Sequence, residues 1–181
     1  TIFIKDLAIK ADSDAKFGDV NVRVTGKDID STSLLVAKYK DYGMIVEADG
    51  DAKEVVAGKL ENNLDDEAHE LQKLIIKEDI KESWLARTTK IEFPTWVKIR
   101  DIEVDKHKNM TTPNFKFNKT RNEVEFTPSI DQDSNGVAKK AELELIFYVS
   151  VEADATGDIT ALVSGRGLDD EYEVTLGKAI A

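Results

Sequence analysis

The feature that most constrains this chain is an alternation of apolar and polar residues with a period of two. The clearest example is AELELIFYVSVE at residues 141–152, where every second residue from Leu143 to Val151 is apolar. Successive side chains of a β-strand point to opposite faces, so this pattern predicts a strand with one face in a core. Ile146 and Tyr148 on its other face predict a central strand covered on both sides. Shorter alternating runs predict further strands at residues 1–11, 19–26, 34–39, 43–49, 159–165 and 171–177.

A change of phase within residues 90–104 predicts an irregular strand. In KIEFPTWVKIRDIEV the apolar positions change parity between Ile99 and Ile102. One extra residue in a strand turns every later side chain to the opposite face. We therefore expect a β-bulge near Arg100 and Asp101.

Residues 114–126, NFKFNKTRNEVEF, predict a β-hairpin. Both halves alternate apolar and polar residues, and polar turn residues join them. A connection this short pairs its two arms as antiparallel neighbours.

One long segment, residues 62–87, departs from the period of two and predicts a helix. It begins with Asn63 as a candidate N-terminal cap followed by an acidic first turn, and it ends on Arg87. This charge order is the one that a helix dipole favours. At 100° per residue, an apolar stripe that includes Leu71 and Leu74 runs along one side of the predicted helix.

A second apolar stripe lies on the opposite side of the predicted helix and consists of Ile76, Ile80 and Trp84. Two explanations are open. The helix bends near residues 77–79 and buries both stripes against one core, or the second stripe contacts a partner subunit. These three residues are therefore candidate partner-binding residues.

Together these patterns predict a single α+β domain over residues 1–181, mostly an antiparallel β-sandwich or barrel with one long helix packed against it. The length is that of one domain, and 41% hydrophobic with 34% charged residues is typical of a soluble globular protein. No apolar run approaches the ~18 residues that cross a bilayer. The first residues also lack the apolar run of a secretory signal. We expect no membrane partner, and a cytoplasmic or virion location without export by a cleaved signal.

Catalytic signatures are weak throughout the chain. It contains no cysteine, which excludes disulfides, thiolate nucleophiles and zinc–thiolate sites. His69 and His107 lie far apart in sequence and outside any metal-binding motif. Ser164 lacks the preceding glycine of a nucleophile elbow. We therefore expect a non-enzymatic protein.

Residues 131–142, DQDSNGVAKKAE, resemble the calcium loop of the EF-hand family. The resemblance implies calcium ligands at Asp131, Asp133, Asn135 and Glu142. Both flanking segments alternate as strands, whereas an EF-hand needs a helix on each side, and Lys139 occupies a ligand position of the loop. Two interpretations stay open: a calcium-binding β module, or an ordinary polar turn between strands.

Residues 106–121 form a basic stretch in an acidic chain. They carry five cations and no acid, so the rest of a chain with net charge −11 carries −16. The cations are Lys106, Lys108, Lys116, Lys119 and Arg121.

Three interpretations of this basic stretch are open. Cations beside aromatic rings are typical of an OB-like barrel that binds single-stranded nucleic acid, since bases stack on the rings. The residues that would do so are Trp96, Lys98, Arg100, Phe115 and Phe117. Alternatively, the basic stretch docks on the acidic surface of an identical or related subunit. It could also be an ordinary solvated surface.

The clearest functional features of the sequence, the second apolar stripe and the basic stretch, are candidate contact surfaces. They favour a structural or assembly protein that acts through protein–protein contacts, as a homo-oligomer or in a larger assembly. Acidic, strand-rich chains of this size without cysteine are common in virus and phage particles. We therefore expect a component such as a head decoration, head–tail joining or tail subunit, with single-stranded nucleic-acid binding and calcium binding as alternatives.

Overall fold

The computed structural model describes residues 8–11, 15–16, 18–39, 43–59, 67–165, 168 and 171–181. Contacts divide the chain into two compact units, residues 1–41 (unit 1) and residues 42–181 (unit 2). We describe each unit by itself. Whether the two form the single domain expected from the sequence stays a prediction.

Unit 1 is built around one antiparallel hairpin. Strand β1 (Gly18–Gly26) pairs with strand β2 (Ile29–Tyr39), and Gly26 faces Ile29 across the turn. Asp28 closes this turn with a φ of 64°, a conformation that Asp tolerates better than most residues. The pairing shifts between Val20 and Asn21, opposite an extra residue in β2. Both strands confirm the alternation predicted at residues 19–26 and 34–39.

Unit 2 is a β-sandwich of two sheets. Its described strands are β3 (Met44–Asp49), β4 (Glu54–Val56), β5 (Lys73–Glu78), β6 (Thr89–Glu92), β7 (Val97–Lys108), β8 (Lys116–Phe117), β9 (Glu123–Phe126), β10 (Glu142–Val151), β11 (Gly157–Gly165) and β12 (Tyr172–Ile180). The first sheet has the order β3-β5-β10-β7, and every pair in it is antiparallel. The second has the order β4-β12-β11-β6-β9-β8, in which only β4 and β12 run parallel.

The core lies between the two sheets. From the first sheet, β10 contributes the alternating side chains from Leu143 to Val151, as the period of two predicts. From the second sheet, Ile159, Ala161 and Val163 of β11 face them, and all three are fully buried. The central position of β10 between β5 and β7 is confirmed.

The structure also confirms the predicted bulge. Along the β7–β10 pair, Ile99 lies opposite Val149 and Asp101 lies opposite Tyr148, so Arg100 is the extra residue. The predicted hairpin at residues 114–126 is present as β8 and β9.

The predicted long helix at residues 62–87 is wrong, and with it the α+β assignment, because the described residues are nearly all β. Among the described residues of that segment, the only helical element is a 3-10 turn, Glu67–His69, while residues 73–78 form β5 and residues 79–87 form irregular turns and bends. The proposed cap at Asn63 lies outside the described residues.

The physical reason lies in β5 itself. Leu74, Ile76 and Glu78 alternate toward the sandwich interior, and Ile75 is buried on the other face. Three consecutive buried apolar residues hide the period of two, so the sequence of β5 resembles part of a helix with two apolar stripes. Pairing with β3 and β10 satisfies the backbone of β5 on both sides and outweighs the local helix signals.

Candidate interaction surfaces

One face of the unit 1 hairpin is apolar. Residues opposite one another in the pairing share a face, and Val22 lies opposite Leu34 while Val20 lies opposite Ala37. Val24 continues the same row. We name this set, Val20, Val22, Val24, Leu34 and Ala37, the valine face.

The opposite face of the hairpin is polar and charged. Asp19 and Lys38 lie opposite one another, with Nζ 3.7 Å from the carboxylate. On the same strand, Arg23 donates a hydrogen bond of 2.9 Å from Nε to the Ser31 hydroxyl. The hairpin is therefore amphipathic, although the described part of unit 1 contains no second sheet to cover the apolar side.

Exposed apolar side chains concentrate in this hairpin and beside it. Of the seven large hydrophobic side chains that are exposed in the described part of the chain, five lie in unit 1. They are Ile9, Ile29, Leu34, Leu35 and Val36. Leu34 is 52% exposed on the valine face, and Leu35 is 55% exposed on the polar face.

A cleft lies at one end of the valine face. It has a volume of about 430 Å³ and lies between residues 9–11, residues 15–16 and the end of the hairpin, where Val20 and Ala37 form part of its wall. The row of Val22, Val24 and Leu34 lies outside the cleft lining.

The outer face of the first sheet in unit 2 is a network of ion pairs. Lys73 reaches Asp105 at 2.6 Å and Glu144 at 2.9 Å, and Lys106 reaches Glu142 at 2.9 Å and Glu144 at 3.0 Å. Burial raises the pKa of Glu144, but hydrogen bonds from Lys73 and Lys106 outweigh burial and lower that pKa to about 2. The hydrogen bond to Glu142, followed by that to Glu144, raises the pKa of Lys106.

The basic stretch of residues 106–121 is dispersed over the fold. Lys106 is committed to the ion pairs just described. Arg121 donates to the carbonyl oxygens of Ile99 and Arg100, and its guanidinium lies 4.1 Å from the centre of the Phe117 ring. Lys108 at the end of β7, Lys116 in β8 and Lys119 in the following turn are exposed and have no ion pair among the described residues.

The aromatic residues proposed to stack bases are turned largely toward the protein. Phe115, Phe117 and Trp96 are half-buried and pack against the core. The Phe115 ring makes an edge contact with Phe126, with 5.5 Å between ring centres. These rings do not form an exposed stacking platform beside Lys98 and Arg100.

The resemblance to a calcium loop does not extend to the arrangement of the carboxylates. Asp133 accepts backbone hydrogen bonds from Asn135 at 2.8 Å and Val137 at 3.0 Å, and these bonds, the one from Val137 first, lower its pKa. Glu142 lies in β10, where it pairs with Lys106. Asp131 and Asn135 are exposed, and no group of three or more acidic or histidine side chains in the described residues could hold a metal ion.

The residues of the proposed second helical stripe lie mostly inside unit 2. Ile76 is 0% exposed and Trp84 is 2% exposed, and both belong to the core. The indole nitrogen of Trp84 donates to the Thr89 hydroxyl at 2.9 Å. Ile80 is half-buried over Gly43, where an added methyl group would clash with its side chain. Because these residues do not lie on a helix, they share no exposed stripe that could contact a partner.

Comparisons with known proteins leave the family of the chain open. No protein-family model matches it, and no curated protein matches it. Among solved structures, the chain is similar to the third cohesin ScaC from Acetivibrio cellulolyticus, solved in complex with the ScaB dockerin. The identity is 9% and the TM-score is 0.38, over 75% of this chain and 96% of that chain. No helix in the described residues is long and apolar enough to cross a membrane.

One feature of these surfaces, the valine face, was not predicted from the sequence patterns. The valine face depends on the cross-strand register of β1 and β2, in which the shift beside Val20 brings Leu34 opposite Val22. The alternation at residues 19–26 was a usable signal, because it placed three valines on one face. Nothing in the alternation alone distinguishes a face that packs in a core from one that stays exposed.

Proposed function

We propose that this chain is a non-enzymatic assembly protein that contacts a second copy of itself through the valine face. The observation that carries the proposal is the apolar valine face, on which Leu34 is 52% exposed beside the half-buried Val22 and Val24. Contiguous exposed apolar surface is uncommon on monomeric proteins and marks sites of protein–protein contact. Val22, Val24 and Leu34 supply such a surface on a regular strand scaffold.

If two copies meet, charge favours unit 1 as the place of contact. Residues 1–41 contain seven Lys or Arg and seven Asp, so the whole formal charge of −11 lies in residues 42–181. Two copies that meet elsewhere on such an acidic chain bring like charges together, which opposes association. The valine face contains no charged residue, and a two-fold axis would place the same apolar row on both sides of the contact.

The open backbone of the hairpin supports the same proposal. In the described residues, β1 and β2 pair only with one another, so each strand has an outer edge without a neighbour. A two-stranded hairpin is marginally stable in water unless further strands or another surface cover it. A second copy would supply that cover.

The proposed contact fits the setting expected from the sequence, a component of a virus or phage particle, since such particles are built from many copies of a few chains. A head decoration, head–tail joining or tail subunit would use a self-complementary hairpin in this way. This setting is a hypothesis that follows from the size, acidity and strand content of the chain.

Single-stranded nucleic-acid binding is less well supported. The stacking mode requires exposed aromatic rings, whereas Phe115 and Phe117 pack against the core. A calcium-binding function is also less well supported, because Asp133 and Glu142 already bind groups of the protein.

Two matched leucine variants test the proposal. Leu34→Asp places a carboxylate on the valine face, whereas Leu35→Asp places the same group on the polar face of the same strand. Light scattering after size-exclusion chromatography gives the mass of each across a wide range of protein concentration. We expect a dimer or larger oligomer for the unaltered chain and for Leu35→Asp, and association weakened at least about tenfold for Leu34→Asp.

Circular dichroism is measured on all three proteins, so that loss of association is distinguished from loss of fold. An unaltered chain that stays monomeric at every concentration would overturn the proposal. Equal losses of association in the two variants would also contradict it, because the valine face would then have no special role.

A further inference from the structure

Unit 2 contains a groove that the proposed contact through the valine face does not use. It has a volume of about 370 Å³ and lies against the outer face of the first sheet, between β7, the end of β10 and the turn at residues 57–59. Its lining consists of Gly58, Lys98, Arg100, Ser150, Val151, Glu152 and Ala153. A volume of this size accommodates a few side chains of a bound ligand.

The two cations of the groove stand out because they are unpaired in an acid-rich protein. Most lysines elsewhere on the strands of the first sheet have a carboxylate within 3 Å, as Lys73, Lys77 and Lys106 do. Lys98 and Arg100 are exposed, and neither side chain has an ion pair or hydrogen bond among the described residues. With 36 acidic residues in the chain, two neighbouring cations without an acidic partner are available for an external one.

Both cations line the groove from strand β7, and Arg100 lies at the bulge of this strand. Residues two apart on a regular strand already share a face, but Ile99 and Asp101 lie opposite consecutive residues of β10, so Arg100 is extra. Bulges change the direction of a side chain and are frequent beside functional sites. Arg121 donates hydrogen bonds to the backbone carbonyl oxygens of Ile99 and Arg100 at the bulge. The Arg100 guanidinium takes no part in these bonds.

The rest of the lining combines a hydroxyl with short apolar walls. Ser150 lies opposite Lys98 in the strand pairing and is 5% exposed, and its hydroxyl makes no hydrogen bond with another described residue. Gly58 has a φ of 72° and its amide donates to the Val151 carbonyl at 2.9 Å, so the turn lies close against the end of β10. Glu152 contributes one negative charge to the lining, which leaves a net charge of +1.

We propose that this groove binds an acidic peptide segment of a partner protein, with one carboxylate at Arg100 and a second at Lys98. A guanidinium binds a carboxylate through two parallel hydrogen bonds, and an ammonium adds a second charge contact. The Ser150 hydroxyl is placed to donate a further hydrogen bond to the same segment. The methyl group of Ala153 suits the aliphatic part of Asp or Glu side chains.

The surroundings favour a peptide over nucleic acid. Single-stranded nucleic acid gains much of its affinity from bases stacked on exposed rings, and Trp96, the neighbouring aromatic residue in sequence, packs against the core. The formal charge of −11, all of which lies in residues 42–181, would also repel a continuous phosphate backbone, whereas a short acidic segment contacts only the groove.

The experiment measures the fluorescence anisotropy of a labelled hexa-aspartate peptide titrated with the full chain at low salt. The test variant combines Lys98→Gln and Arg100→Gln. The matched control combines Lys116→Gln and Lys119→Gln, which removes the same charge from two exposed, unpaired cations outside the groove. We expect affinity to fall at least about tenfold in the test variant and less than about twofold in the control.

Competitors identify the ligand class. Unlabelled hexa-aspartate should displace the probe, and hexa-asparagine should not. Absence of binding, or equal losses in both variants, would overturn the proposal, because the attraction would then be absent or a property of the net charge alone. Displacement by inorganic phosphate or oligothymidine at lower concentration than by hexa-aspartate would overturn it in favour of a small oxyanion or a nucleic acid.

This proposal does not depend on the valine face. The same titration with Leu34→Asp, the variant that tests the hairpin contact, should give the affinity of the unaltered chain. Loss of self-association with retained peptide binding would therefore leave the groove proposal standing, and the reverse result would leave the assembly proposal standing.

Discussion

At the scale of single residues, Glu78 fixes a stretch of turns that has no regular secondary structure. One carboxylate oxygen accepts a hydrogen bond of 2.8 Å from the Trp84 amide, and the other accepts one of 2.8 Å from the Ala141 amide. The side chain is 5% exposed and lies at the end of β5. It therefore joins the turns of residues 79–84 to the start of β10.

Replacing this carboxylate by an amide should destabilise unit 2. Glu78→Gln leaves only one oxygen acceptor, and its NH₂ group would face an amide hydrogen in the interior. An unsatisfied buried donor costs about 1–3 kcal/mol, so we expect the free energy of unfolding in urea to fall by that amount. Glu82→Gln, an exposed change in the same turns, is the control and should alter it by less than about 0.5 kcal/mol. Equal stability of the two variants would contradict this role of Glu78.

Glu144 should make the stability of the protein depend on pH in the acid range. Its pKa is lowered from 4.5 to about 2 by Lys73 and Lys106, so the ionised carboxylate stabilises the folded state fully above pH 4.5. That contribution is lost as the pH falls toward 2. Urea unfolding across this range should show a steeper decline for the unaltered chain than for Glu144→Gln. A difference between the two proteins that does not change with pH would argue against the ion pairs.

At the scale of elements, β5 replaces the helix that the sequence predicted, and its leucine gives a direct test. Leu74→Ala should cost about 2–5 kcal/mol of unfolding free energy, because a fully buried side chain leaves a cavity between the sheets. Leu85→Ala makes the same chemical change at a site 40% exposed and should cost well under about 1 kcal/mol. Urea unfolding followed by tryptophan fluorescence measures both. A similar cost at the two positions would contradict the placement of β5 in the sandwich.

The strands that the sequence predicted well are those with one apolar face and one more polar face. In β10, β11 and β12 the apolar residues alternate with polar ones, and the bulge at Arg100 follows from the same rule applied to a change of phase. In β5 the three consecutive buried residues Leu74, Ile75 and Ile76 hide the alternation, so period alone gives no decision, and charged residues at the ends of the segment follow the charge order of a helix. Pairing with β3 and β10, which are distant in sequence, makes this segment a strand instead of a helix.

The candidate sites were predictable to a smaller extent than the strands. The sequence identified Lys98 and Arg100 as candidate binding residues. It predicted that they bind nucleic acid together with Phe115 and Phe117, whose side chains pack against the core. Which cations remain unpaired depends on contacts across the sheet, such as that of Lys73 with Asp105 and Glu144. Sequence spacing carries no information on such contacts between distant strands.

At the scale of the whole molecule, the uneven division of charge separates the two proposed kinds of contact. Unit 1 has no net charge, and unit 2 carries all of the formal −11. Self-association through the valine face buries apolar side chains while bringing two acidic bodies near one another. Docking of an acidic segment in the groove of Lys98 and Arg100 instead joins opposite charges.

Added salt should therefore act on the two contacts in opposite directions. Salt screens the repulsion between acidic subunits but leaves apolar burial intact, so raising the ionic strength from about 0.05 to 0.5 M should strengthen self-association. The same change should weaken hexa-aspartate binding, because it screens the attraction at the groove. Light scattering and anisotropy on one preparation measure both effects. Oligomers that dissociate as salt is added would place the subunit contact on charged surface, where the valine face has no part in it.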